Sequence, residues 1–203
     1  MKSSFSAVRH KGALLVALAA ILLATACETS TTIKPEESFD ANAAHGLVVM
    51  GLSADHSRSF HYNFWWWKID PATGSFAEGV EPLKVGWIPN PWFPSDLSDR
   101  TKKQYFIVRA PPGQYALESF RFDRRYTKKF RPGTVAFEVA AGEIVYIGDY
   151  LITAPLDGWF YSSRKADFKF GTRDDAAAQR AVDEYPGVTG RLKFIAPELL
   201  RLR

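Results

Sequence analysis

Cysteine is nearly missing: the 203 residues hold one, Cys27. A single thiol excludes an internal disulfide framework and a multi-thiolate zinc site. Histidine is scarce as well. Beyond residue 26 only His45, His56 and His61 occur, and His56 and His61, five apart across a strand start, make a poor ligand pair. His-x-x-x-His, His-Glu-x-x-His and Gly-x-Ser-x-Gly are all absent, and no Gly-rich segment follows a strand and opens a helix. These gaps leave a metal centre, a serine nucleophile and a phosphate-cradling loop without sequence support. No apolar run reaches the roughly 20 residues of a comfortable membrane span. No period of about 20 to 50 residues marks a solenoid or propeller.

Aromatic residues, by contrast, are plentiful: 14% of the chain, with six Trp. The formal charge is +4. Part of that charge lies in Lys2, Arg9 and Lys11, ahead of a nearly unbroken apolar run from Ala13 to Ala26. A basic start, a short apolar core and small residues before a polar stretch have the form of a secretory signal. Without residues 1–26 the net charge falls to +1, because every acid lies later in the chain. The basicity is therefore no sign of a nucleic-acid partner.

Most of the later sequence reads as short strands. Gly46–Ser53 is an apolar run bounded by Gly, as expected of a buried strand. In Ser59–Ile69 the period of two puts Phe60, Tyr62, Phe64 and Trp66 on one face and His61, Asn63, Trp65, Trp67 and Ile69 on the other. Asp70–Gly74 is a turn, and Ser75–Val85 a return strand broken by Pro82. Gly86–Gln104 is a long loop, since Pro89, Pro91 and Pro94 exclude helix and central strand. Further strands follow at 105–109, 114–122, 134–139 and 144–152, with short candidates at 159–161, 167–170 and 191–195. Residues 123–132 form a basic hairpin connection. One helix is expected, Arg173–Tyr185, with Thr172 and Asp175 as a capping box, a stripe of Ala178, Ala181, Val182 and Tyr185, and Pro186-Gly187 as its stop. Many short strands with frequent turns predict a mainly β fold, an antiparallel β-sandwich of the prealbumin or immunoglobulin-like kind, with one C-terminal helix. The domain plan is a signal over 1–26, a flexible tether over 27–44 and the sandwich over 45–203, with the helix near 173–185.

Two stretches carry a resemblance. Leu23-Ala-Thr-Ala-Cys27 resembles the lipobox of bacterial lipoproteins, with Ala24 in the place usually taken by Leu. The resemblance implies cleavage before Cys27, a diacylglyceryl thioether on its sulfur and a fatty acyl group such as palmitate on its amine. That covalent lipid is the only cofactor implied. Glu28, where an Asp would retain the protein in the inner membrane, implies the outer membrane, periplasmic face. The second stretch is Pro111-Pro-Gly113-x-Tyr115-x-Leu117, followed by Phe137-x-Val139, Gly142 and Tyr146-Ile-Gly148. It resembles bacterial lipoproteins with a prealbumin-like or carboxypeptidase-regulatory-like sandwich, the DUF2846 type of domain. This motif implies a fold and little chemistry.

The candidate binding residues fall in two groups. Trp65, Trp67, Trp87, Trp92 and Phe93 are candidates for an exposed aromatic platform, set against core packing. Arg121, Arg124, Arg125, Lys128, Lys129 and Arg131 put six cations beside one acid and are candidates for an anionic contact surface, set against a solvated hairpin. Asp149 is read as a polar group of a strand edge rather than a catalytic acid. The expectation is a non-enzymatic lipoprotein of the cell envelope, held to the membrane by its lipid, with an envelope protein or glycan as partner and no nucleic acid. The alternatives are a glycan- or peptidoglycan-binding module using exposed Trp, and an envelope hydrolase.

Overall fold

The computed structural model describes residues 32–34, 36–55, 62–87, 102–122, 126–130, 134–157, 160–161 and 166–200. Cys27 and the signal lie outside them, as do Trp92, Phe93, Arg124, Arg125 and Arg131. The elements are β1 (Gly46–Ala54), β2 (Tyr62–Asp70), β3 (Ser75–Phe76), β4 (Leu83–Trp87), β5 (Gln104–Ala110), β6 (Gly113–Phe122), β7 (Tyr126–Lys129), β8 (Thr134–Val139) and β9 (Ile144–Thr153). After these come β10 (Leu156–Asp157), β11 (Phe160–Tyr161), β12 (Asp167–Phe170), α1 (Asp175–Asp183), β13 (Leu192–Phe194) and β14 (Glu198–Leu200).

Two sheets face each other as a β-sandwich. The first runs β12-β9-β1-β5, with β13 also on β9; the second runs β14-β8-β6-β2-β3, with β4 on β2 and β7 on β6. Most pairs are antiparallel. The exceptions are β1–β9 and β13–β9, which run parallel. Side chains from both inner faces fill the gap: Val48, Met50, Val145 and Ile147 from the first sheet, Tyr62, Phe64, Trp66, Phe120 and Phe122 from the second. Trp66 is fully buried, in edge-to-face contact with Phe137 at 5.0 Å. The aromatic face expected of β2 is therefore the core face.

β1 is buried along nearly its whole length, because its second face is covered too. Leu47, Val49, Ile107 and Tyr146 point away from the sandwich core and pack against Ala178 and Val182 of α1 and against Ile33 and Phe39. Those last two correct the expectation of a flexible tether over 27–44. Ile33 and Phe39 are 3% and 2% exposed. Ile33 N–H donates to the Ile107 carbonyl at 3.0 Å, and Phe39 N–H donates to the Gly187 carbonyl at 2.9 Å. Burying the two side chains is worth about 1.5–3 kcal/mol each, enough to hold a polar segment down.

Two bulges reset the alternation. Trp65 pairs with Ser119 but Trp66 pairs with Leu117, so Glu118 is the extra residue of β6. Tyr115 and Leu117 face the core before it, Phe120 and Phe122 after it. Strict alternation would have placed the two pairs on opposite faces. In β9 the extra residue lies at Gly148, where φ is 98°. That left-handed region suits glycine. The slip moves Asp149 onto the face that carries Tyr146, and Tyr150 onto the core face.

The helix is shorter than its sequence pattern at both ends. Its cap is Asp174, not Thr172: the Asp174 carboxylate accepts from Ala177 N–H at 2.9 Å. Residues 126–129, expected inside a connection, form β7 by pairing antiparallel with β6. The Pro111-Pro-Gly113 turn is fastened by the Tyr115 hydroxyl, which donates to the Pro111 carbonyl at 2.8 Å.

Candidate functional site

The outer face of the second sheet brings a member of each group of candidate residues together, Trp65 and Arg121. Trp65 is half-buried in the middle of β2, opposite Lys84 of β4 and Ser119 of β6. Lys84 Nζ and Arg121 Cζ each lie over its ring, 5.1 Å from the centroid. The two cations reach it from the two neighbouring strands. Arg121 Nε also donates to Thr127 Oγ1 at 3.4 Å. On the same face Lys129, 67% exposed at its side chain, lies 3.5 Å from Glu118. Lys84 was not among the expected residues. It stands alone in its strand, and only the register of β4 on β2 carries it to Trp65.

Trp67 has a different setting on this face. It is half-buried, 6.4 Å from Phe76, beside a small cluster of Ile69, Ala116 and Ala136 capped by Phe76 and Leu200. Trp87 ends β4, pairing with Tyr62. Lys128 leaves the basic group: it pairs with Asp167 of β12 at 2.5 Å and sits over Phe130. Its charge closes one side of the sandwich.

Asp149 is the other polar cluster, and it corrects the expectation of a strand-edge group. β9 lies inside the first sheet, between β12 and β1, and Asp149 is 3% exposed. Both of its oxygens are taken. Lys103 Nζ donates to Oδ2 at 2.5 Å, and the Tyr146 hydroxyl donates to Oδ1 at 2.5 Å. Lys103 also donates to the Thr172 carbonyl at 3.0 Å. Tyr146 accepts from Asp174 N–H, and the Tyr105 hydroxyl donates to the Asp174 carbonyl, both at 3.4 Å. The ring of contacts ties β5 and β9 to the cap of α1. Gly51 leaves room for it: a Cβ there would stand 2.0 Å from Asp149 Oδ1. Burial, then the negative charges of Asp149 and Asp174, push the Tyr105 hydroxyl up to about 12. Burial and then the bond to Asp149 raise Tyr146 as well. Each oxygen of this buried carboxylate accepts a side-chain hydrogen bond, and the two phenols beside it are held protonated.

No protein-family model matches the chain, and no curated protein matches it. Its chemistry therefore has to be read from its own residues. Among the described residues no group of three or more His, Cys, Asp or Glu is placed to hold a metal ion, and no helix is long and apolar enough to cross a membrane. Two shallow grooves are formed by described residues. One, of about 450 Å³, lies between the edges of the sheets and is lined by Glu138, Glu143, Glu198 and Lys193. The other, of about 520 Å³, lies beside α1 and is lined by Arg173, Asp175 and Phe194. In each, opposite charges already pair: Lys193 with Glu143 at 3.1 Å, and Arg173 with Asp175.

Proposed function

We propose that the chain is a lipid-anchored, non-enzymatic protein of the bacterial envelope, whose sandwich domain binds a partner through the outer face of its second sheet. The observation that carries the reading is the placement of the only cysteine. Cys27 closes an apolar, signal-like run at Leu23-Ala-Thr-Ala, five residues before Thr32 bridges to Val108 of β5. A chain cut at Cys27 would thus begin almost at the edge of the folded domain. The resemblance to lipoproteins of the DUF2846 type, which rests on Pro111–Leu117 and Phe137–Gly148, agrees with that order of parts, and Glu28 favours the outer membrane, periplasmic face.

Several acyl chains, at about 0.8 kcal/mol per buried methylene, make such an anchor stable where one chain gives only reversible binding. The non-enzymatic part of the proposal draws on Asp149, whose oxygens are both occupied by Lys103 and Tyr146. A sugar-stacking platform at Trp65 is the less favoured reading, because two cations lie over that ring.

Metabolic labelling with an alkyne fatty acid tests the anchor. The wild-type chain should incorporate label and sediment with membranes, and Cys27→Ser should do neither. Equal labelling of the two, or none in the wild type, refutes the proposal.

A further inference from the structure

The second sheet closes unevenly and leaves one edge open. β14 pairs with β8 only over Thr134–Ala136, whereas β6 pairs with it over Ala136–Val139. Phe137, Glu138 and Val139 therefore have β6 on one side and, among the described residues, no strand on the other. The sequence explains the gap. One step back along the register of β14 stands Pro197, which has no N–H to offer a ladder. Two residues earlier, Ile195 N–H already donates to the Tyr146 carbonyl of the first sheet at 3.0 Å. The chain crosses between the sheets here, and the groove of about 450 Å³ opens beside it.

An unpaired edge is a template for an added strand. The side chains around this one set what such a strand must carry. Glu138 is exposed on the outer face of the sheet, and Glu198, also exposed, stands opposite Ala136 on the same face. Lys193 lines the groove too, but Glu143 already holds it at 3.1 Å. Among the described residues neither Glu138 nor Glu198 has an ion-pair partner. A residue placed opposite Glu138 would lie two positions from Glu198 along the line of β14, about 7 Å, so one cation there meets both carboxylates. Its neighbours on the added strand turn the other way, toward Ile195, which packs against the core.

We propose that this edge takes an extended, cationic segment of a partner protein as an added strand, with a lysine or arginine opposite Glu138 and apolar residues on either side of it. A second copy of this chain is the wrong occupant. Edge-to-edge pairing about a two-fold axis brings identical surfaces together, so the same acids would face each other. The inference deepens the partner-binding part of the proposed function and rests on it, but not on the lipid anchor.

The test is fluorescence anisotropy of a labelled peptide of alternating lysine and valine, titrated with the full chain in neutral detergent micelles. Binding is expected, and a peptide of alternating glutamate and valine should not bind. The lysine peptide N-methylated at every amide keeps its charge and cannot join the ladder, so it should bind more than about tenfold more weakly. Glu138→Gln and Glu198→Gln should each weaken binding about two- to fivefold. Ala196→Arg, at an exposed position in the groove, should abolish it. Glu78→Gln, which removes an exposed acid just beyond β3 at the opposite edge of the sheet, should have no effect. Should Ala196→Arg fail to fold, the two glutamine variants decide against Glu78→Gln. No binding, equal binding of the N-methylated peptide, or equal losses for Glu78→Gln and Glu138→Gln each overturn the proposal. So does self-association of the chain that the peptide disperses, which would give the edge to a second copy. Fatty-acid labelling reads Cys27 alone, so failure of the edge and failure of the anchor are told apart.

Discussion

Lys103 and Asp149 form an ion pair of unequal burial, and the inequality predicts the outcome of cutting it from either side. The Asp149 side chain is 2% exposed and that of Lys103 is 28% exposed. Lys103→Met leaves a buried carboxylate with one remaining side-chain donor, the Tyr146 hydroxyl. Breaking a buried pair in this way costs about 3–5 kcal/mol. Asp149→Asn is milder. The amide oxygen still accepts from Tyr146, and Lys103 can turn to water, so the loss is that of a charge-assisted hydrogen bond, about 1.5–3 kcal/mol. In the double variant no uncompensated carboxylate remains, and its cost should match Asp149→Asn alone. The double-mutant cycle then gives a coupling of several kcal/mol, far above the roughly 0.5 kcal/mol scatter of independent sites. Urea unfolding at neutral pH measures it, with midpoints compared at unchanged m values. At about 2–4 °C per kcal/mol for a domain of this size, Lys103→Met should also melt about 6–20 °C lower. If Lys103→Met costs less than Asp149→Asn, or if the two costs simply add, the cluster is not the lock described here.

Two further predictions concern the rest of the fold. Phe39→Ala should destabilise the domain by about 3–5 kcal/mol by thermal or urea unfolding; a free tether would give no change. Alkaline pH should unfold the protein through its tyrosines. Burial, the largest cause, holds Tyr105 and Tyr115 up to about 12 and raises Tyr146 and Tyr150 too. The folded state therefore keeps protons that the unfolded chain releases from about pH 10, so this stability is complete below pH 10 and is lost as pH climbs toward 12. Phenolate absorbance should rise together with loss of the circular dichroism signal. Ionisation of all eight tyrosines in one wave near pH 10, with the fold intact, would contradict it.

The long strands were legible in the sequence because a period of two needs only local residues, whereas the short β7, β10 and β14 were not. Faces were legible as far as the first bulge. Tyr62, Phe64 and Trp66 occupy the core face assigned to them, whereas β6 and β9 change phase at Glu118 and Gly148. A glycine inside an apolar run is the one local hint of the second slip. Ile33 and Phe39 escaped notice because single apolar residues in a polar stretch show no periodicity. Asp149 looked like an edge residue because its partner, Lys103, stands 46 positions earlier, and only the sheet brings them together. Lys84 was hidden for the same reason. Its role depends on register, which the residues of its own strand do not encode.

The parallel pairing of β1 with β9 has a consequence for timing. Leu47 cannot find its place until Ile144 is available, and the Phe39–Val188 bridge must wait longer still. An N-terminal strand whose neighbour arrives about a hundred residues later cannot close its sheet while the chain is still emerging from the ribosome. β1 can pair with β5 once residue 110 has been made, but its other edge stays open until β9 follows. Under the export proposed above, a sheet that stays open this long would leave the chain free to be threaded through a membrane channel before it folds.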